Sequence, residues 1–324
     1  SYYLLGVLLG RFKHARVAFP GGCDFGVRPI DQHIKGFEAL GASVDAKSII
    51  EIKARELKGT NIFLDVVSVG ATINTMLVAV KAKGKTVIEN VAKEPEIVNV
   101  ATFLNNMGAK IKGAGTNIIT ITGVDYLHKC FHEVIPDRIE AGTYIIIGAL
   151  CGTPLKIDNV IPDHIDSVLL KLKEMGVKVV EEENSVFIDA GAELISTDIK
   201  TMPFPGFPTD MQAQFGGLMS TTRGTGIIVE TVFENRFMHV AEFNRMGANI
   251  KTDGNCALIP GGKKLQGAQV VATDLRAGAA MIIAGLMARG TTEIEDIIYI
   301  DRGYEHVEDK FNAMGADIVR IKGE

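Results

Sequence analysis

Hydrophobic positions with helical spacing, as in Val98 to Met107, run into a glycine and then into a short β-rich stretch, Ala109-Lys-Ile. The same succession returns along the whole chain. Its phrases are Glu38-Ala-Leu-Gly41-Ala, Asn106-Met-Gly108-Ala, Glu174-Met-Gly176-Val, Arg245-Met-Gly247-Ala and Ala313-Met-Gly315-Ala, with glycines 67, 68, 71 and 68 residues apart. Each glycine suits the C′ position that ends a helix in a left-handed residue. A second phrase recurs between them: Ala82-Lys-Gly-Lys-Thr-Val-Ile-Glu, Cys151-Gly-Thr-Pro-Leu-Lys-Ile, Arg223-Gly-Thr-Gly-Ile-Ile-Val and Arg289-Gly-Thr-Thr-Glu-Ile-Glu. It predicts an earlier helix, a tight turn and a strand.

The predicted unit is helix, strand, connecting loop, helix, strands, about 68 residues long, so the fold class is α/β. Such mixed units need neighbours to cover their faces. The period exceeds that of the common solenoids, which favours a compact arrangement of a few units. Ser1 to Gly10 predicts a helix that starts abruptly; no basic segment precedes it and no small-residue cleavage site follows, so it does not read as a signal peptide. By the period, Gly41 should follow roughly 67 residues of its repeat rather than 40. The first unit is therefore expected to be incomplete, and the chain to be the remainder of a longer polypeptide.

With 324 residues, 47% of them hydrophobic, the chain is long enough for two ordinary cores. The longest apolar stretches, around Tyr144 to Leu150 and Ala279 to Met287, fall short of the roughly 20 residues that span a bilayer. Cys23, Cys130, Cys151 and Cys256 lie far apart, without metal-ligand spacing or a histidine cluster, so neither a metal nor a disulfide framework is expected. A net charge of −5 argues against a nucleic-acid partner but allows a local arginine pocket. No phosphate-binding loop of the ATP or dinucleotide kind is present in the right context.

One turn carries the candidate chemistry. In Pro20-Gly-Gly-Cys23-Asp-Phe-Gly-Val-Arg28-Pro29 a thiol sits five positions before a guanidinium, in a backbone that glycine loosens and proline stiffens. The cation would favour the thiolate of Cys23 and raise its reactivity; an incidental cysteine in a surface turn is the alternative. In each unit the loop before the second helix holds unusual polar residues: Cys23 to Asp31, Lys93 to Glu96, Pro162-Asp163, Glu234 to Arg236 and Asp301-Arg302. Arg28 and Arg302 both lie 13 residues before their repeat's glycine. Equivalent loops on packed units would converge on one site.

Seven phrases in order resemble one family: Pro20-Gly-Gly-Cys23-Asp-Phe-Gly-Val-Arg28-Pro-Ile-Asp31, Val67-Ser-Val-Gly70-Ala-Thr, Pro136-Asp-Arg-Ile-Glu140-Ala-Gly, Phe207-Pro-Thr-Asp210-Met-Gln-Ala-Gln, Phe233-Glu-Asn-Arg236-Phe-Met-His239, Thr273-Asp-Leu-Arg276-Ala and Ile300-Asp-Arg302-Gly-Tyr-Glu. The chain is similar throughout to the UDP-N-acetylglucosamine 1-carboxyvinyltransferases, the enolpyruvyl transferases of peptidoglycan synthesis. The resemblance implies a two-domain fold, an inside-out α/β barrel in which each domain repeats the unit around a pseudo-threefold axis. The expected domains are 1–135, incomplete at its N-terminus and carrying the catalytic loop and nucleotide-sugar site, and 136–324, carrying a catalytic aspartate. The shortfall from six units is about 85 residues.

The implied reaction moves the enolpyruvyl group of phosphoenolpyruvate onto the 3-hydroxyl of UDP-N-acetylglucosamine and releases phosphate, in the cytoplasm, without a cofactor. It implies Cys23 as acid or nucleophile and target of fosfomycin, and Asp210 as candidate base for the sugar hydroxyl. Arg28, Arg236, Arg276 and Arg302 are implied for the anions, since planar guanidinium groups bind phosphate and carboxylate in bidentate fashion. Arg28, Pro29, Ile30, Asp31 and Gln32, with Val66, Val67, Ser68, Val69, Gly70 and Val232, are implied for the nucleotide sugar. Read from the residues alone, Asp137, Asp210 and Asp274 each precede a helical pattern and predict N-caps. Glu94, Glu96, Asp163 and His239 predict a solvated face or a supporting layer. Two other readings stand beside this one: a shikimate-pathway enolpyruvyl transferase, and a binding remnant that holds nucleotide sugar without turnover.

Overall fold

The positive-φ glycines set the frame of the fold. In the computed structural model, which describes residues 2–18, 30–47, 49–191 and 193–321, Gly41, Gly108, Gly176, Gly247 and Gly315 have φ of +97°, +100°, +98°, +96° and +99°. All five recurring phrases therefore end a helix in the same way, in a backbone region that any Cβ would strain. The chain divides into two compact units, Ser1–Ile135 and Pro136–Glu324.

The first unit runs α1 (Tyr3–Phe12), β1 (His14–Ala18), α2 (Asp31–Ala39), β2 (Ser43–Ala46) and β3 (Ile49–Lys53), then β4 (Asn61–Phe63), α3 (Val69–Ala79), β5 (Lys85–Glu89), α4 (Pro95–Asn106), β6 (Lys110–Lys112) and β7 (Ile118–Thr122). Its sheets are ordered β1-β3-β2 and β4-β5-β7-β6. Within each repeat the strand after the inner helix takes an antiparallel partner from the end of the repeat, and the hairpin completes the sheet. The short strand β4 adds in parallel to β5; three residues long, it carries no periodicity from which to predict it.

The second unit repeats this plan: α5 (Arg138–Cys151), β8 (Leu155–Asp158), α6 (Asp166–Glu174), β9 (Lys178–Glu182) and β10 (Ser185–Asp189); β11 (Ile199–Lys200), α7 (Gln212–Thr221), β12 (Thr225–Val229), α8 (Val240–Arg245), β13 (Lys251–Asp253) and β14 (Cys256–Pro260); and β15 (Gln269–Val271), α9 (Leu275–Met287), β16 (Glu293–Glu295) and α10 (Val307–Ala313). The sheet orders β8-β10-β9 and β11-β12-β14-β13 reproduce those of the first unit, and β15 pairs in parallel with β16.

Burial explains why helices lie inside and sheets outside. The helices α3, α5, α7 and α9 are apolar nearly all round, as in Ile145, Ile146, Phe215, Leu218, Met281 and Ile283, each no more than 1% exposed. A helix without a polar face belongs in a core. The strands β9 and β13 keep exposed outer residues, so each sheet covers the core on one face only. In the first unit α1 lies close against α3: a Cβ on Gly6 would stand 2.8 Å from the Asn74 carbonyl oxygen. Among the described residues no helix is long and apolar enough to cross a membrane.

Candidate active site

Three inner helices of the second unit bring their N-termini together. Asp137 and Asp274 cap α5 and α9, each accepting two backbone N–H bonds, from Ile139 and Glu140 at 2.8 and 3.0 Å and from Arg276 and Ala277 at 2.8 and 3.1 Å. Both behave as the sequence predicts. Asp210 does not cap: it lies in a 3-10 turn, Thr209–Met211, and Met211 holds the cap position of α7 without a side-chain bond.

The Asp210 carboxylate meets guanidinium groups instead. Arg236 donates through Nη2 to Oδ1 at 2.8 Å, and Arg276 donates through its own Nη2 to Oδ2 at 3.4 Å. Arg138, the first residue of α5, adds its charge. Burial works to raise the Asp210 pKa; the charges of Arg276, Arg236 and Arg138, with the Arg236 hydrogen bond, outweigh it and hold the carboxyl below its usual range. The helix N-termini add positive potential of the same sign. The result is an ionised carboxylate, 39% exposed, on cations that are 6% and 15% exposed.

A buried polar chain stands behind Arg276. Its Nη1 approaches the Tyr304 hydroxyl at 3.5 Å, and that hydroxyl lies 2.9 Å from Thr143 Oγ1. Thr143 donates to the Ile139 carbonyl at 2.9 Å, so Tyr304 donates to Thr143 and keeps a lone pair toward Arg276. Arg236 lies over the Phe233 ring, 5.2 Å from its centroid. His239, expected on a solvated face or in support, is 4% exposed, and burial followed by the Arg236 charge pushes its pKa down to about 3. Glu94 is likewise buried, at 7%, whereas Asp163 is exposed.

Val232 is 40% exposed, and its N–H donates to Glu230 Oε1 at 2.8 Å. Arg302, itself exposed, ends the turn Ile297–Arg302, which Ile300 anchors in the core and whose Asp301 is gripped through both oxygens by Arg320 at 2.8 and 2.9 Å. An open groove of about 520 Å³ lined by Leu170, Phe207, Ile227 and Val229 among others contains none of the predicted site residues.

In the first unit the predicted nucleotide-sugar residues come together at the starts of α2 and α3. Ile30 precedes α2 and Asp31 opens it. Gln32, 6% exposed, accepts from the Asp65 N–H at 2.8 Å and donates to the Asp31 and Asp65 carboxylates at 2.8 and 3.3 Å. Lys35 completes the bridge to Asp65 at 2.6 Å. Val66 is 62% exposed, Val67 leads into the turn, and Ser68 caps α3 by accepting from Ala71 N–H at 3.3 Å. Val69 and Gly70 form the first turn, whose N–H groups have no partner within a helix. Cys23, Arg28 and Pro29 lie outside the described residues.

His33 sets the floor of this edge. Asn74 Oδ1 accepts the Gly6 N–H at 3.0 Å, so its Nδ2 is the donor toward His33 Nδ1 at 2.8 Å and the Tyr2 carbonyl at 3.2 Å. His33 is thus an acceptor at Nδ1 and carries its proton on Nε2. A Cβ on Gly70 would lie 3.1 Å from that nitrogen. Burial pushes the His33 pKa down to about 4, against the opposing charge of Asp31.

Sequence reasoning overlooked Tyr304, Thr143, Glu230, Gln214, Asp65, His33 and Asn74. Tyr304 and Gln214, whose Nε2 donates to Thr143 Oγ1 at 3.4 Å, carried a usable signal, since they stand within the Arg302-Gly-Tyr and Phe207 to Gln214 phrases.

A cluster of arginines around one carboxylate, built on a repeated α/β unit with its helices inside, defines the class. The chain belongs to the family of EPSP synthase (3-phosphoshikimate 1-carboxyvinyltransferase), whose family model matches residues 1–311. It is 57% identical over 321 residues to UDP-N-acetylglucosamine 1-carboxyvinyltransferase 2 of Listeria monocytogenes, covering 99% of this chain and 76% of that protein. It is 59% identical over 322 residues to UDP-N-acetylglucosamine 1-carboxyvinyltransferase of Clostridium botulinum, with 99% and 77% covered. Among solved structures it is similar to the enolpyruvyl transferase NikO from Streptomyces tendae, with a TM-score of 0.87, 25% identity, and 98% of this chain and 76% of that one covered. EPSP synthase from Acinetobacter baumannii shares the fold at 17% identity and a TM-score of 0.72, with 96% and 76% covered.

Proposed function

We propose that this protein transfers the enolpyruvyl group of phosphoenolpyruvate to the 3-hydroxyl of UDP-N-acetylglucosamine and releases phosphate, the committing reaction of peptidoglycan synthesis. The observation that carries the reading is the ionised Asp210 held by Arg236 and Arg276 where three helix N-termini meet. The choice of nucleotide sugar over shikimate 3-phosphate rests on the 57% and 59% identities to the named relatives. The EPSP synthase likeness, at 17%, bears on the fold alone.

The chemistry needs an acid for the methylene carbon, a base for the sugar hydroxyl and cations for two anions. In addition, Asp210 takes the hydroxyl proton as the sugar oxygen bonds to the central carbon of phosphoenolpyruvate, and the Cys23 thiol gives a proton to the methylene carbon. In elimination the methyl group loses a proton and the carbon–oxygen bond to phosphate breaks. Arg28, Arg236, Arg276 and Arg302 bind phosphate and carboxylate. Residues 1–135 supply the Cys23 turn and the sugar-nucleotide edge, Ile30 to Gln32 with Val66 to Gly70; residues 136–324 supply Asp210 and the Val232 contact. A cytoplasmic location fits this reading, since both substrates are cytoplasmic metabolites.

A carboxylate on two guanidinium groups is a weak base. An incoming anion that draws Arg276 away restores the basicity of Asp210 where the hydroxyl arrives. The test is phosphate release from phosphoenolpyruvate by the complete protein. UDP-N-acetylglucosamine should drive it and shikimate 3-phosphate should not; the reverse preference rejects the reading. Cys23→Asp should retain turnover and lose covalent labelling by fosfomycin, read by intact mass.

A further inference from the structure

The four repeats whose xGT strand and following turn are described differ at one position. The residue that follows β5, β8 and β16 is Asn90, Asn159 or Asp296, with φ of +58°, +56° and +55°. In those repeats the chain turns by adopting the left-handed conformation, which Asn and Asp tolerate best. After β12 the corresponding residue is Glu230, which is not in that region. Its side chain is buried, 2% exposed, and does the work of the turn by another route.

Glu230 Oε1 accepts the N–H groups of Val232 and Phe233 at 2.8 and 3.2 Å and the Thr201 hydroxyl at 2.7 Å; Oε2 accepts the Thr209 hydroxyl at 2.9 Å. Asn255 Nδ2 holds its carbonyl at 3.0 Å. One carboxylate therefore ties the segment that precedes Asp210 to the loop that leads to Arg236. Four donors on a buried carboxylate satisfy it without a counter-ion. A turn that elsewhere needs only an αL residue here fixes the spacing of two side chains that meet at 2.8 Å.

We propose that Glu230 is a positioning residue for the reaction: it holds Thr209 and the 231–233 backbone so that Asp210 and Arg236 stand in register for the sugar hydroxyl. The inference rests on the proposed roles of Asp210 and Arg236. Glu230 acts through these two residues, by way of its bonds to Thr209 and to the Val232 and Phe233 N–H groups.

Two variants weaken the same strut from opposite ends. In Glu230→Gln the amide oxygen keeps the Val232, Phe233 and Thr201 donors, while the amide N–H₂ faces Thr209 in place of an acceptor. Thr209→Val removes the hydroxyl. In the complete protein each should lower kcat by about tenfold with KM for the nucleotide sugar changed less than about twofold, and the double variant should be no worse than the worse single. The acidic limb of the kcat profile should move upward in both, because a displaced Arg236 stabilises the Asp210 carboxylate less. A lowered melting temperature with kcat and pH profile unchanged would overturn the proposal. Asp210→Asn, assayed alongside, separates the cases: if it loses turnover and the strut variants do not, only the positioning role fails; if it keeps turnover, the reading of Asp210 itself fails.

Discussion

Arg236 and Asp210 meet through a 2.8 Å hydrogen bond in which the cation is 6% exposed and the carboxylate 39%. The asymmetry gives the two groups different freedoms. The guanidinium is fixed by burial and by the Phe233 ring, whereas the carboxylate is partly open to solvent. Arg276, bonded at the longer 3.4 Å, is the more exchangeable partner. Replacing it with Gln should raise the Asp210 pKa, because its charge is the foremost influence lowering it against burial. The acidic limb of kcat against pH should move up, and KM for phosphoenolpyruvate should rise at least about tenfold as a charge-assisted contact is lost. Steady-state kinetics across pH in the complete protein would show both; an unmoved limb would mean Arg276 does not control Asp210.

Three aspartates precede three inner helices, and their replacement should separate structure from chemistry. Asp137→Ala and Asp274→Ala each remove two capping bonds and should destabilise the second unit by about 1 kcal/mol with turnover retained at temperatures below melting. Asp210→Asn removes no cap. It should lower kcat by at least about a hundredfold with little change in melting temperature. Paired thermal melts and phosphate-release assays on the three variants test the division, and a strong loss of turnover in the Asp137 or Asp274 variant alone would contradict it.

That division also marks how far the sequence could be read. The repeat was legible because each unit punctuates itself locally: a C′ glycine at φ near +97°, an xGT turn, and aspartate caps whose bonds reach only two or three residues. Asp210 has the same local signature, a proline-rich lead and a helix to follow, and the cap it predicts does not form. What claims its carboxylate lies 26 and 66 residues on, beyond any spacing rule. The resemblance, not the pattern, placed Arg236 and Arg276. Glu230 escaped both, since an acid after an apolar strand looks like an ordinary surface turn until its four donors are seen. The short parallel strands β4, β11 and β15 were invisible because two or three residues cannot display a period.

Gly70 links packing to the predicted ligand edge in the first unit. A methyl group there would lie 3.0 and 3.1 Å from His33 Cε1 and Nε2, closer than a Cβ normally approaches. The ring is pinned by Asn74, so α3 rather than His33 must shift. Gly70→Ala should displace the first turn of α3 and its free N–H groups, raising KM for UDP-N-acetylglucosamine at least about fivefold with kcat less affected. Binding calorimetry with the nucleotide sugar measures the loss directly, and wild-type affinity in the variant would exclude this turn from the binding edge.

Two buried histidines make the fold acid-sensitive in a defined window. His33 and His239 have folded pKa values pushed down to about 4 and about 3 from 6.5, by burial first, with Arg236 adding to the effect on His239. Because the unfolded chain binds these protons and the folded one does not, stability is complete above pH 6.5 and falls as the pH drops below it. The loss continues until the folded groups themselves titrate, near pH 4 and pH 3. For His33 the shift corresponds to roughly 3 kcal/mol, and the two sites lie in different units, so each unit should lose stability over its own range. His33→Gln keeps an acceptor for Asn74 and removes the proton site. Urea melts between pH 7 and pH 4 should show a steep decline in the first unit of the unaltered protein and a flatter one in the variant. Equal slopes in the two proteins would show that His33 is not the group whose protonation weakens this unit.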